Sequence, residues 1–232
     1  MQLSVGTSGS SFKEWKGVFY PKDMSTDGML RFYGEHFNTV EINNTFFRMP
    51  KPPVLEAWAE DVPENFKFVL KASRGITHMK RLKNAEDSVA YLLNVAEVLK
   101  DRLGPLLFQL PPNMKKDLPR LREFLALLPR DRHAAFEFRH QSWFDDEVFD
   151  ALREHQAALC IAEAEDDLDI PFVATAHWGY LRLRMPDYTD AQLRTWHTRV
   201  KEQDWRETFV FFKHEDEAKG PKLAKRFMEL AN

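Results

Sequence analysis

Ionic and polar side chains interrupt the strand-length apolar stretches of this sequence at six places, and their types are those of acid–base and anion chemistry. Glu41 sits in Thr39–Asn43, Lys71 ends Lys67–Lys71, Gln109 lies in Leu106–Leu110, Glu137 and Arg139 fall in and just after Ala134–Phe138, and Arg182 lies in Gly179–Arg184. A carboxylate can pass a proton, an ammonium or guanidinium can hold an anion, and a carboxamide can orient one. Side chains alternate between the two faces of a strand. The polar set therefore opposes apolar neighbours such as Val40 and Ile42, Phe68 and Leu70, Phe108, Phe136, and Leu181 and Leu183. Asn43 shares the face of Glu41, and Arg184 that of Arg182.

The segments that follow these stretches add further groups. Gly6–Phe12 carries Ser8, Ser10 and Ser11 with Gly6 and Gly9, which suits either an ordinary turn or a cradle of amides and hydroxyls for an anion. It has neither the Walker A nor the dinucleotide spacing. From Lys71 to Lys83 the chain holds Lys71, Arg74, Lys80, Arg81 and Lys83 with His78 among them and no acid. That run is a solvated basic loop or an attractor of phosphate and carboxylate, and His78 titrates in the range of an acid–base group. Arg139 leads into His140, Trp143 and Phe144, an aromatic pair at the expected rim that can stack on a planar ligand or anchor the next helix. The lone cysteine, Cys160, lies in the apolar run Ala157–Ala162 and reads as a buried, inert thiol. No metal is expected, because Lys71, Arg139 and Arg182 would repel a cation from Glu41, His78 and Glu137. No cofactor fingerprint is present, and no Gly-x-Ser-x-Gly elbow supports a serine nucleophile.

The elements that must position these residues come in a regular series. Strand candidates are Leu3–Thr7, Thr39–Asn43, Lys67–Lys71, Leu106–Leu110, Ala134–Phe138, Ala158–Ala162, Gly179–Arg184 and Thr208–Lys213. Helical patterns separate them. Leu121, Phe124, Leu125 and Leu128 keep an i, i+3, i+4, i+7 spacing before Pro129, and Leu193, Trp196, His197 and Val200 repeat it behind a Thr189-x-x-Gln192 capping box. Asn84 and Asp145 are expected N-caps for helices around Val89–Leu103 and Val148–His155. Pro52-Pro53 opens another helix, and a last one runs over about Ala218–Leu230. Strands alternating with helices demand parallel pairing, and closing eight of them removes both sheet edges. The expected fold is α/β, a single (β/α)₈ TIM-type barrel over residues 1–232.

In such a barrel the helix-facing side chains must be apolar, so Glu41, Lys71, Gln109, Glu137, Arg139 and Arg182 should point inward, near the C-terminal strand ends where this fold builds its sites. Ser4, Gly6 and Ser8 are small and leave room beside them. Glu41 and Glu137 should then pair with Lys71 and Arg139, either as a functional pocket or as an ionic plug. The 232-residue chain is 44% hydrophobic and 30% charged with a formal net charge of −3, which argues against a membrane protein or a generally basic nucleic-acid binder. With one cysteine and no targeting signal, the cytoplasm is the expected location.

Taken together, Gly6–Gly9, Phe19–Pro21, Val40–Phe46, Phe68–Ala72, Ile76–His78, Gly104–Pro112 and Phe136–Arg139 with His140, Trp143 and Phe144 resemble the YecE-like bacterial family across the whole chain. The resemblance implies a TIM-type barrel and carries no activity with it. A likeness of that barrel to endonuclease IV is an analogy of fold alone. The sequence departs from the family pattern at Ser10, where tryptophan is usual, at the Arg184-Met185 end of the seventh strand, and at Lys213–Asp216 with Lys222–Ala224 after the eighth. These departures fall on the part of the mouth built by strands one, seven and eight.

The functional expectation is an enzyme, or the relic of one, acting on a small anionic ligand by acid–base chemistry. Glu41, Glu137, Lys71 and His78 are the catalytic candidates, with Ser8, Asn43, Gln109, Arg139, His140, Trp143 and Arg182 as binding residues. Nucleic-acid binding through the basic loop and the Trp143-Phe144 rim is the second reading, and a non-catalytic binding protein the third. No membrane partner is expected, and the number of subunits is left open.

Overall fold

The computed structural model describes residues 1–163, 168–213 and 216–231. Eight parallel strands appear where the alternation places them: β1 (Gln2–Thr7), β2 (Thr39–Ile42), β3 (Lys67–Lys71), β4 (Leu103–Gln109), β5 (Ala134–Glu137), β6 (Ala158–Glu163), β7 (Trp178–Leu183) and β8 (Glu207–Phe212). Their order round the sheet is β1-β8-β7-β6-β5-β4-β3-β2. β4 begins earlier than the apolar run suggests, because its register slips against β3: Phe68 pairs with Leu103, but Leu70 pairs with Leu106. Pro105 has no N–H for the ladder, and a bulge is where a strand accommodates that loss.

The ring closes between β1 and β2 largely through side chains. At the top, the Gly9 amide donates to the Glu41 carbonyl at 2.8 Å. Lower down, Asn38 accepts from the Val5 amide at 3.1 Å and donates to the Leu3 carbonyl at 3.2 Å. The Tyr33 hydroxyl accepts from the Thr7 amide at 2.8 Å and donates to the Thr39 carbonyl at 3.1 Å. Gly6 is required at this seam, since a Cβ there would stand 2.0 Å from the Thr39 carbonyl oxygen.

Seven α-helices surround the barrel among the described residues: α1 (Met29–Gly34), α2 (Pro52–Asp61), α3 (Glu86–Ala96), α4 (Leu118–Leu125), α5 (Asp146–His155), α6 (Asp190–Lys201) and α7 (Lys219–Ala231). Asp145 caps α5 through the Glu147 amide at 3.0 Å, and the Thr189–Gln192 capping box forms at α6. Asn84 does not cap α3. It sits at φ 47° in a turn that also holds Arg81 and Leu82 at positive φ, and α3 starts after Ala85. The expected long helix also ends early, at Ala96, with a 3₁₀ segment over Glu97–Arg102 turning the chain into the bulged β4. The crossover from β6 to β7 is the exception to helix–strand alternation, because residues 168–177 form no helix. Thr175 ties this segment to the barrel instead, its hydroxyl donating to the Ala157 carbonyl and accepting from the Leu159 amide, each at 2.7 Å.

The alternation divides the core in two. Val40, Phe68, Leu70, Phe108 and Phe136 pack outward against the helices, while Val69, Leu107, Ala135, Cys160, Tyr180 and Phe211 fill the barrel. Along each strand the inward series runs from these apolar residues to an ionic or polar one. Val69 precedes Lys71, Leu107 precedes Gln109, Ala135 precedes Glu137 and Tyr180 precedes Arg182. Among the described residues, no helix is long and apolar enough to cross a membrane.

Candidate active site

Arg182 is the centre of the ionic layer. It is 2% exposed, and its Nη2 reaches Glu41 Oε1 at 2.7 Å while its Nη1 reaches Glu137 Oε2 at 2.6 Å; both glutamates are fully buried. The remaining oxygens are also engaged. Tyr180 donates its hydroxyl to Glu41 Oε2 at 2.6 Å, and Gln109 donates Nε2 to Glu137 Oε1 at 2.9 Å. Arg184 stands 3.5 Å from the same Glu137 oxygen. The planar guanidinium serves the two carboxylates through separate nitrogens in one fixed fork.

This arrangement corrects the expected pairing. Glu41 and Glu137 take Arg182 as partner, not Lys71 and Arg139, because only β7 directs a guanidinium between them at the height of β2 and β5. Burial opposes ionisation of Glu137, yet the charges of Arg182 and Arg184 and the Gln109 hydrogen bond outweigh it and hold the carboxyl down at about 2. A carboxylate so firmly ionised and so fully paired is a poor proton carrier near neutral pH. Glu41 and Glu137 are thus built into an ionic plug, the alternative that the residue types had left open.

Lys71 lies at the end of β3 in a different situation. It is 9% exposed, and among the described residues no carboxylate comes within ion-pair distance of its Nζ. The ammonium rests instead over the Phe46 ring, 4.6 Å from its centroid. Burial lowers its pKa, the charge of Arg182 lowers it further, and Glu41 and Glu137 only partly compensate, so that it comes down to about 8. Lys71 faces a cleft of about 740 Å³ shared with Ser8, Ser10, Asn43, Phe46 and Lys213. Ser8 Oγ is buried there without a hydrogen-bond partner among the described residues. Ser10, the first of the expected departures, lines this same cleft. His214 and Glu215, the centre of the third departure, lie outside the described residues.

Other candidates fall around this centre or away from it. His78 sits in a single π-helical turn (Gly75–Met79), its Nδ1 2.9 Å from Thr77 Oγ1 and its ring edge-on to Phe46 at 4.9 Å. Burial lowers its pKa, and Lys71, Arg139 and Arg81 lower it further, so it is neutral at physiological pH. Arg139 is half-buried and makes no ion pair among the described residues. His140 turns inward on its own loop, accepting from the Ser142 amide at 3.1 Å as a cap. Trp143 is not at the rim. It is completely buried, stacked on Phe138 at 4.7 Å, and donates Nε1 to the Met114 carbonyl at 2.7 Å. It anchors the loop and offers no face to a base. Two cations of the basic loop are tied down as well: Lys80 donates to the Asn84 carbonyl at 2.7 Å, and Arg81 to Asn113 Oδ1 at 3.1 Å. Cys160 lies inside the barrel, where burial pushes its thiol well up.

Sequence reasoning missed Tyr180 and Phe46. Tyr180 shares the parity of Arg182 and could have been found from it. The placement of Phe46 against Lys71 follows from the 3₁₀ turn Asn44–Phe46, which no spacing announces.

Comparison with known proteins gives the same architecture. The family model described as "Protein of unknown function DUF72" matches residues 4–232. The protein named UPF0759 protein YecE, from Escherichia coli strain K12, is 35% identical over 116 residues, which is 50% of this chain and 43% of that one. The chain thus matches under half of the length of that relative. The crystal structure of a DUF72 family protein from Thermotoga maritima superposes with a TM-score of 0.82 at 25% identity, covering 99% of this chain and 98% of that one. A DUF72 family protein from Enterococcus faecalis gives 0.83 at 19% identity, covering 100% and 96%, a likeness of fold alone.

Proposed function

The chain belongs to the DUF72 family, and on that premise we propose that it is an enzyme acting on a small anionic substrate, phosphate- or carboxylate-bearing, by acid–base chemistry centred on Lys71. The observation that carries this reading is a largely buried lysine whose ammonium has no carboxylate partner among the described residues, on the wall of an open cleft at the C-terminal strand ends. An unpaired buried charge is costly, and a ligand anion supplies the missing partner. Lys213 and the Ser8 hydroxyl, which has no partner among the described residues, line the same cleft and extend the anion site. A lysine brought down to about 8 exchanges its proton near neutral pH, as an acid–base group must. Glu41 and Glu137 act in this reading as positioning residues, holding Arg182 where its charge keeps the Lys71 pKa low. The reading has the whole chain acting as one YecE-like domain in the cytoplasm.

Calorimetric titration with inorganic phosphate and with small carboxylates tests it. Binding by the intact protein, weakened at least about tenfold in Lys71→Met, is the expected result, since one charge-assisted contact of this kind contributes about 1.5–3 kcal/mol. Absence of binding for every anion at low ionic strength overturns it.

A further inference from the structure

Resting on that reading of the cleft, we infer that Lys71 is a covalent catalytic group, whose amine captures the carbonyl carbon of a small anionic aldehyde or ketone as a Schiff base. A lysine serving only as a fixed charge would be expected to face a carboxylate. Glu41 and Glu137, whose charges act on it, are instead turned toward Arg182, and the Lys71 Nζ takes no hydrogen bond or ion pair among the described residues. When its proton leaves, the lone pair is therefore unclaimed. Phe46 supplies an apolar wall on one side of the amine, and the cleft of about 740 Å³ on the other has room for a substrate of a few carbons. Desolvation beside another cationic group is the established way for a protein to make a lysine nucleophilic. At about 8, roughly a tenth of the amine is neutral at pH 7, against well under a thousandth for an ordinary lysine.

The step balances without any oxidant or reductant. The Nζ lone pair attacks the carbonyl carbon, the C=O π pair moves to the oxygen, and the nitrogen, now cationic, passes one of its protons to that oxygen directly or through water, which restores its lone pair in a neutral carbinolamine. The carbinolamine oxygen then takes a second proton and leaves as water, while the nitrogen lone pair forms the C=N⁺ bond. The cleft offers two groups to this sequence. Lys213 is placed to hold the substrate's anionic end, and the Ser8 hydroxyl, buried without a partner among the described residues, can bond the carbinolamine oxygen.

Reductive trapping tests the inference on the full chain. The protein is incubated with cyanoborohydride and pyruvate, glyceraldehyde 3-phosphate or propanal, and adducts are mapped by peptide mass spectrometry. Lys71 is expected to be modified at least about tenfold faster than exposed lysines at pH 7 by a charged carbonyl, with the rate rising through about pH 8. Lys71→Arg should lose this adduct and inorganic phosphate should slow it; the pH profile of the unaltered protein makes the same point should that variant not fold. Label spread over exposed lysines with Lys71 bare overturns the covalent role, and propanal trapping Lys71 as fast as the charged carbonyls overturns the anionic class of the substrate. Phosphate binding by calorimetry without any Lys71 adduct sinks the Schiff base alone, whereas no anion binding and no adduct sinks the anion site with it.

Discussion

Gln109 and Glu137 are register partners on neighbouring strands, and the amide of the first donates to the carboxylate of the second at 2.9 Å inside the barrel. Because a carboxamide nitrogen is only a donor, the bond favours the ionised acid. Together with Arg182 and Arg184 it depresses the Glu137 pKa from an ordinary 4.5 to about 2. The unfolded chain then binds the proton more readily than the folded one, so the stabilisation is present above about pH 4.5 and drains away as the pH falls toward 2. Linkage sets its size on the order of 3 kcal/mol. Urea unfolding between pH 2 and 5 should show a steeper acid loss for the native protein than for Glu137→Gln, and parallel curves would count against the pairing.

Arg182 neutralises two buried carboxylates at once, so removing it is more damaging than removing either acid. Arg182→Met is expected to cost about 3–5 kcal/mol, because it leaves Glu41 and Glu137 facing each other without their cation. Adding Glu41→Gln and Glu137→Gln to that variant should restore part of the loss. A single-variant cost below about 1 kcal/mol, read from the urea midpoint, would show that the layer is solvated.

Lys71 carries the opposite sign. Its pKa falls on folding from 10.5 to about 8, so the folded state gives up a proton that the unfolded chain keeps. The cost is largest below pH 8 and disappears as the pH rises through 10.5. Lys71→Met should therefore be more stable than the native protein by about 1–3 kcal/mol at pH 7, with the gain fading by about pH 11. Equal stability at both pH values would mean that the ammonium is already compensated in the native protein.

Tyr33 and Gly6 secure the β1–β2 seam by different means. Tyr33→Phe leaves the Thr7 amide and the Thr39 carbonyl without the hydroxyl that joins them and should cost about 1–3 kcal/mol. Gly6→Ala places a methyl group against the Thr39 carbonyl oxygen and should prevent ring closure. The check is hydrogen exchange at the β1 amides: fast exchange there, with protection kept on β4 to β6, marks a seam that has opened. Uniform protection in the alanine variant would contradict the close approach.

The order of strands, their parallel pairing and the inward turn of Glu41, Lys71, Gln109, Glu137 and Arg182 were all legible in the sequence. They follow from local alternation: an element that buries one face against helices must put its ionic residues on the other. Alternation is blind to height and azimuth, however. Which cation lies between the two glutamates depends on the stagger of β2, β5 and β7 round the ring, and that stagger exists only when the barrel is closed. For the same reason the orphaned state of Lys71, the Phe46 ring beneath it and the burial of Trp143 could not be read in advance. Each is a relation between segments that are distant along the chain or joined by irregular turns, and packing, not periodicity, decides it.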